Sequence, residues 1–193
     1  MDIKNYINAL HTAEKLKNTT RHSYTSGGRH ESVAEHTFRT TLMAYFIKDE
    51  FPDADIDKVI KMCLIHDLGE AFTGDIPSFE KTQADEENEK EQLYTWVKTL
   101  PAPFCDEMLS LYEEMEERKT LEAKIYKALD GLEAVISHNE ADLSTWSENE
   151  YELNLVYAEE KCTFSKYLRE LRKALRIDSE NKIKGESNEC QRN

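Results

Sequence analysis

The most informative stretch of this 193-residue chain is Val59-Ile60-Lys61-Met62-Cys63-Leu64-Ile65-His66-Asp67, an apolar run that ends on two adjacent polar residues. A buried imidazole and a buried carboxylate are costly to remove from water unless a partner compensates them. A divalent cation is one such partner, because neutral imidazole and carboxylate are both metal ligands. His36 and Asp130 stand at similar points, where apolar helical sequence turns polar. Together with the His66-Asp67 pair they form a candidate ligand set.

Helical spacing indicates the direction in which the histidines point. His66 follows Val59 by seven residues and Cys63 by three, so it projects from the apolar side, and His36 shares a helical stripe with Met43. A single inward histidine is most often a core imidazole bonded to a backbone carbonyl, and a single buried aspartate most often belongs to an ion pair or a cap. Four such groups on three helices would each need a separate partner, which favours one shared metal ion.

The composition favours a helical globular protein. Charged residues make up 33% and apolar residues 39% of the chain, with six glycines and four prolines. A barrel or sandwich would need more turn residues. A chain of this length can bury one full core, so we expect one all-α domain over residues 1–177. The polar segment 178–193 is expected to be a disordered tail.

The net charge of −14 bears on the partners. An acidic surface repels a phosphate backbone, so the charge disfavours a general nucleic-acid-binding role. The first 40 residues reverse the trend, with six Lys and Arg against four Asp and Glu. We therefore expect any bound anion to be held near that segment.

The cysteines and the N-terminus indicate a compartment. Cys63, Cys105, Cys162 and Cys190 are widely spaced and form no CxxC pair, which is typical of free thiols in a reducing compartment. Residues 1–7 lack the apolar region of a secretory signal, and no stretch is long enough to span a bilayer. These features predict a soluble cytoplasmic protein without a membrane partner.

Apolar residues recur at helical spacing through most of the chain. A capping box, Ser32 with Glu35, predicts one helix start, and Thr120 predicts the cap of the helix that carries Asp130. We expect loops at 18–31 and 73–77, and helices near residues 3–16, 33–47, 55–70, 79–99, 104–115, 121–136 and 155–175.

Two motifs resemble a known family. They are Glu31-Ser32-Val33-Ala34-Glu35-His36 and His66-Asp67-Leu68-Gly69-Glu70-Ala71-Phe72-Thr73-Gly74-Asp75-Ile76-Pro77. Both are similar to the 5'-deoxynucleotidase branch (the YfbR-like and HD-domain-containing-2 group) of the HD-domain metal-dependent phosphohydrolase superfamily, over about residues 1–175. The resemblance implies an HD-domain helical bundle, hydrolysis of nucleoside 5'-monophosphates and a homodimer. It also implies one divalent ion (Mn, Co, Mg or Zn) held by His36, His66, Asp67 and Asp130.

The residues themselves favour a single metal ion. HD enzymes with two metals use further histidines between the HD pair and the last aspartate, and this chain has none from 68 to 129. The metal would polarise the phosphate and lower the pKa of a bound water. Glu70, one turn beyond Asp67, is the candidate for orienting or deprotonating that water. Asp75, which Gly74 allows to approach closely, would protonate the leaving ribose oxygen or hydrogen-bond the substrate, and the two carboxyl roles can be exchanged.

Three residues are the main candidates for substrate binding, and a fourth is an alternative for one of them. Arg21 lies where the deoxynucleotidase branch places an arginine that contacts the nucleotide, and a guanidinium suits phosphate or sugar. A loose surface arginine is the alternative interpretation of Arg21. His22 stands where that branch can have a tryptophan against the sugar, so the choice between deoxyribose and ribose stays open, with Tyr24 as a second candidate for stacking. Arg29 is a further candidate phosphate contact.

Three classes of function fit these patterns. The first is a metal-dependent 5'-nucleotidase, and the second is an HD-type phosphohydrolase that acts on triphosphates, cyclic nucleotides or alarmones. The third is a non-enzymatic nucleotide-binding protein. Because a binding module would not need both Glu70 and Asp75 beside a metal, the sequence favours an enzyme.

Overall fold

The computed structural model describes the backbone of residues 1–190 and the side chains of residues 1–185. It confirms the predicted all-α class, since helices joined by turns and one short hairpin account for the described fold. The chain forms two compact units. The first contains Met1–His22 and Glu31–Tyr126, and the second contains Ser23–His30 and the chain from Lys127 onward. A single domain over residues 1–177 remains a prediction.

The helices of the first unit are α1 Ile3–Lys15, α2 Val33–Phe46, α3 Ile56–Ile65, α4 Glu70–Thr73, α5 Gln83–Val97 and α6 Phe104–Glu117. Helix α7 Leu121–Glu140 begins in the first unit and continues into the second, which also contains α8 Glu150–Val156 and α9 Lys166–Cys190. The strands are β1 Thr20–Tyr24 and β2 His30–Ser32.

Side-chain caps explain where several helices begin. Asp2 and Asp55 accept backbone N–H groups at the starts of α1 and α3. The predicted capping box at Ser32 and Glu35 is confirmed at the start of α2, with both reciprocal hydrogen bonds present. Thr120 accepts the Ala123 N–H at the start of α7, as predicted. These caps satisfy N–H groups that a helix leaves without partners in its first turn.

The segment 18–31, predicted as a loop, contains the hairpin β1–β2 instead. Thr25 N–H donates to the Arg29 carbonyl at 2.8 Å, and Gly28 adopts a φ of 80° in the turn. The strands lack the apolar alternation that predicts a half-buried strand, so pairing of the backbone rather than the side-chain pattern determines them. The hairpin holds Arg21 and His22 on a regular strand.

Helix α3 ends earlier than predicted. It stops at Ile65, and α4 begins at Glu70, so His66 and Asp67 lie in the tight turn between them. The Leu68 N–H donates to the Ile65 carbonyl at 3.2 Å and the Glu70 N–H to the Asp67 carbonyl at 3.1 Å. The predicted helix near residues 55–70 is therefore interrupted by this turn, which carries both His66 and Asp67.

The C-terminal part corrects two predictions. The single final helix is divided into α8 and α9, and Ala158 between them has a left-handed φ of 65°. The prediction of a disordered tail from residue 178 is wrong as far as Cys190, because α9 continues to that residue and Ser179 is fully buried. Ser179 Oγ lies 3.0 Å from Asn154 Nδ2, which anchors the helix. Residues 191–193 of that predicted tail lie outside the described residues.

Each unit has its own buried apolar side chains. In the first unit α2 packs against α3, and fully buried residues include Val33, Val59, Met62 and Val97. In the second unit they include Leu129, Leu132 and Leu168. Within the described part of the chain, no helix has both the length and the apolar character needed to cross a membrane.

Candidate metal centre and active site

Three of the four predicted metal ligands converge in the first unit. His36, fully buried on α2, places Nε2 3.2 Å from Nε2 of His66. One carboxylate oxygen of Asp67, Oδ2, lies 3.1 Å from His66 Nε2 and 3.6 Å from His36 Nε2. The three side chains can therefore offer one ligand atom each to a common ion.

A backbone carbonyl fixes the orientation of His66. Its Nδ1 lies 2.7 Å from the Cys63 carbonyl oxygen, which can only accept a hydrogen bond. Nδ1 therefore carries a proton, and in the neutral ring Nε2 keeps its lone pair toward His36 and Asp67. Metal-binding histidines commonly donate their second N–H to a carbonyl or carboxylate in this way.

The donor set fits a divalent cation. Two ligand atoms that are each about 2.1 Å from one ion lie about 3.0 to 3.4 Å apart in octahedral or tetrahedral arrangements. The observed spacings of 3.1, 3.2 and 3.6 Å are close to that range. A lone pair of His66 and a carboxylate oxygen of Asp67 repel at such a distance unless a proton or a cation lies between them. The arrangement has the chemistry of a metal site.

Asp130, the fourth predicted ligand, belongs to the second unit. It lies on α7 and accepts a hydrogen bond from Lys127 Nζ at 2.8 Å. Its carboxylate is partly exposed, at 18% of the side-chain surface. Its membership of the ligand set remains a prediction.

Glu70 is buried at the start of α4, with 6% of its surface exposed. Its Oε2 has no hydrogen-bond partner, and burial followed by the charges of Asp67 and Asp75 raises its pKa well above the usual value. A carboxyl group with a raised pKa takes up a proton closer to neutral pH, as a general base must. Glu70 therefore has the surroundings of a catalytic carboxylate.

Asp75 lies on the segment after α4, where the polypeptide has no regular structure. Gly74 before it has a φ of 81°, a conformation that glycine adopts without strain. The negative charge of Asp75 contributes to the raised pKa of Glu70. The structure thus brings the two predicted catalytic carboxyl groups into electrostatic contact.

Lys81 and Glu89 add to the charged group formed by Glu70 and Asp75, and the sequence analysis did not identify them. Lys81 Nζ lies 2.5 Å from Glu89 Oε2, and both side chains are at most one-fifth exposed. A Cβ atom at Gly69, in the turn between Asp67 and Glu70, would lie 2.7 Å from Glu89 Cγ. Glu89 therefore packs directly on that turn. In the sequence this pair was hidden within the strongly charged segment 79–99.

Arg21 lies beside the metal ligands. Its Nη1 is 3.7 Å from Asp67 Oδ2 and its Nε is 3.5 Å from Glu31 Oε2. Glu31 is buried and also faces Arg39, at 3.8 Å. A loose surface position for Arg21 is excluded by this contact and by its 12% side-chain exposure. Glu31 was part of the quoted motif, but the sequence carried no signal for its role in positioning Arg21.

The other predicted substrate contacts lie along the hairpin. His22 is half-buried on β1, and its ring meets the Phe79 ring edge to face. Tyr24 packs against His30, with ring centroids 4.1 Å apart. Arg29 is exposed near the turn of the hairpin and donates to the His30 carbonyl at 3.1 Å. Substrate contact by His22 and Arg29 remains a prediction.

The chain is similar to known proteins in family, sequence and structure. A family model described as HD domain matches residues 13–172. The 5'-deoxynucleotidase HDDC2 of Bos taurus is 30% identical over 141 residues, covering 71% of this chain and 68% of that protein. The 5'-deoxynucleotidase HDDC2 of Dictyostelium discoideum is 31% identical over 144 residues, covering 69% and 76%. A crystal structure from Magnetospirillum magnetotacticum MS-1, described as a predicted metal-dependent phosphohydrolase, has a TM-score of 0.78 at 25% identity, covering 93% of each chain.

Proposed function

This chain belongs to the HD-domain family and is a hydrolase, and on that premise we propose that it is a metal-dependent 5'-nucleotidase. It hydrolyses nucleoside and deoxynucleoside 5'-monophosphates to nucleoside and phosphate. The observation that carries the proposal is the convergence of His36, His66 and Asp67 beside the buried carboxyl of Glu70. The relatives named as 5'-deoxynucleotidases support the substrate class.

His36, His66 and Asp67 would hold the divalent ion, and Asp130 is proposed as the fourth ligand. When bound, a divalent cation (Mn, Co, Mg or Zn) supplies a Lewis acid for the phosphoryl oxygens and for the attacking water. His66 is held ready for this role by its Nδ1 hydrogen bond to Cys63. The carboxylate of Asp67 lowers the positive charge of the site and contributes the third ligand atom.

Glu70 accepts a proton from the water that attacks phosphorus. The new bond joins the water oxygen to phosphorus, and the bond between phosphorus and the 5' oxygen of the sugar breaks. The leaving oxygen takes up a proton from Asp75. The negative charge of Asp75 helps to raise the pKa of Glu70, so Glu70 accepts the proton of the water more readily. Exchange of these two roles is the alternative assignment.

Arg21 binds the phosphate. Its guanidinium lies next to Asp67 and is oriented by the buried carboxylate of Glu31, so the charge is positioned before the substrate arrives. A planar guanidinium can donate two parallel hydrogen bonds to phosphate oxygens. His22, the next residue on β1, would contact the sugar, and Arg29 is proposed as an additional phosphate contact.

A phosphate-release screen tests this function. Purified protein is incubated with nucleoside mono-, di- and triphosphates, cyclic nucleotides and alarmones in the presence of Mn, Co, Mg or Zn. We expect monophosphates to be hydrolysed fastest, because the net charge of −14 disfavours more highly charged anions. Faster hydrolysis of a triphosphate, cyclic nucleotide or alarmone would show instead that the protein is an HD-type phosphohydrolase specific for that substrate. Nucleotide binding without turnover with any of the four metals would indicate a binding protein.

Two further proposals concern the state of the protein. The wide spacing of the four cysteines, without a CxxC pair, supports a reducing, cytoplasmic location. A homodimer is supported by a stripe of exposed apolar side chains along α1, formed by Ile3, Ile7 and Leu10. Contiguous exposed apolar surface is typical of an interaction site.

A further inference from the structure

Phe79 is an exposed aromatic residue on the segment that carries Asp75. It is the third residue of a turn in which the Glu80 N–H donates to the Pro77 carbonyl at 2.8 Å. With 43% of its surface exposed, Phe79 contributes little to the core of the first unit. Turns favour Gly, Asn, Asp or Ser at such positions, so the turn itself does not require an aromatic ring.

The ring of Phe79 contacts the ring of His22. Their centroids are 5.5 Å apart and the ring planes are inclined by 86°, which is a favourable edge-to-face geometry. In such a pair the rings do not cover each other face to face, and Phe79 keeps 43% of its surface exposed. The pair thus combines an oriented aromatic surface with exposure to solvent.

Two chain segments connect this aromatic pair to the proposed metal ligand Asp67 and the proposed catalytic residue Glu70. Arg21, which precedes His22, lies 3.7 Å from Asp67. Asp75, four residues before Phe79, acts electrostatically on Glu70. Four residues span at most about 14 Å of extended chain, so both rings lie within a short reach of the residues that handle the phosphate.

We propose that the ring of Phe79, held edge to face by His22, is the surface on which the base of the nucleotide substrate stacks, and that Phe79 determines specificity for phosphomonoesters that carry a base. The inference rests on the proposed 5'-nucleotidase function and deepens it. Stacking depends on the flat face that every nucleobase has, so this surface favours nucleotides over base-free sugar phosphates and accepts several bases.

The test compares Phe79→Ala, Phe79→Trp and wild type on deoxyadenosine 5'-monophosphate and on 2-deoxyribose 5-phosphate, which carries a hydroxyl in place of the base. We expect Phe79→Ala to lower kcat/KM for the nucleotide on the order of tenfold, mainly through KM, and to leave the base-free substrate unchanged. Phe79→Trp should retain nucleotide specificity. Phe104→Ala serves as the matched control, because Phe104 is equally exposed, at 42%, and lies on α6.

A second measurement separates binding from turnover. Calorimetric titration with deoxyadenosine should show binding to wild type that Phe79→Ala weakens to a similar extent. An equal loss on both substrates, or normal nucleotide kinetics in Phe79→Ala, would overturn the inference while the proposed function stands. A wild-type protein that neither binds nor hydrolyses nucleoside monophosphates would overturn both.

Discussion

Asp67 is the residue on which metal binding should depend most directly. Its carboxylate oxygen lies within 3.6 Å of both ring nitrogens, so Asp67→Ala removes the anionic member of the cluster. We expect wild type to bind close to one ion per chain and the variant to bind almost none, measured by elemental analysis after dialysis. Added metal should raise the Tm of wild type and leave that of the variant unchanged, because binding to the folded state stabilises it.

Asp57→Ala is the control for this experiment. Asp57 is an exposed aspartate in the first turn of α3, ten residues before Asp67, and is not a member of the ligand set. It should bind metal as wild type does. Stoichiometric metal in Asp67→Ala would remove Asp67 from the ligand set.

Glu70 allows catalysis to be separated from metal binding. Glu70→Gln keeps the size of the buried side chain and removes its ability to accept a proton. We expect unchanged metal content and a loss in kcat on the order of a hundredfold, because positioned proton transfer contributes about that much. Steady-state kinetics combined with elemental analysis measures both quantities, and Glu80→Gln, an exposed site, is the control. Near-normal kcat in Glu70→Gln would leave this carboxyl without a catalytic role.

The sequence predicted some of the site residues and missed others for physical reasons. His36, His66 and Asp67 stand out because polar groups interrupt apolar helical runs, a signal that is local in sequence. Glu31 and Lys81 carry no such signal, because their importance arises from partners brought together by folding, Arg21 and Glu89. Charged residues in a charged segment cannot be distinguished by pattern alone.

At the scale of secondary structure, the end of α9 should contribute to stability. Ser179 is fully buried, and its hydroxyl lies 3.0 Å from Asn154 Nδ2 and 2.8 Å from Asn139 Oδ1. A chain ending at Arg176 loses these contacts, and we expect its free energy of unfolding to fall by about 1 to 3 kcal/mol. Denaturant unfolding followed by circular dichroism measures this change.

A chain ending at Gly185 is the matched control, because it keeps Ser179 and its partners. It should be much more stable than the chain ending at Arg176. Equal stability of the full chain and the shorter truncation would mean that residues beyond 176 add nothing to the fold.

Helix starts were predicted better than interruptions. The caps at Ser32 and Thr120 are encoded by the residues that make the hydrogen bonds, so their positions were correct. The hairpin of β1 and β2 depends on backbone pairing, and the break between α8 and α9 depends on a left-handed Ala158. Because alanine favours helices, its presence at position 158 did not indicate that break.

At the scale of the whole molecule, we expect a homodimer that uses α1. Ile3, Ile7 and Leu10 lie on one helical stripe and are 80%, 46% and 52% exposed. In a twofold dimer each copy presents the same stripe, so replacing all three by serine removes apolar surface from both sides of the interface. Wild type should have the mass of a dimer in size-exclusion chromatography with light scattering, and the triple variant that of a monomer.

Lys4→Ser and Asn8→Ser on the same helix form the control, because both replaced residues are polar and exposed. This variant should stay dimeric. A monomeric wild type would exclude the homodimer, and a dimeric triple variant would exclude α1 as its interface.

The hydrogen bond from His66 to the Cys63 carbonyl also affects how this chain tolerates mutation over generations. A main-chain oxygen is present whichever amino acid is encoded at position 63, so exchange of that side chain does not delete the acceptor. Position 63 is thus free to drift among small apolar residues that fill the same buried space. A side-chain acceptor would instead have tied the ring's orientation to the identity of one amino acid. The imidazole's orientation is set by the main chain at the end of the helix, so it is retained in any variant of position 63 that leaves this main chain in place.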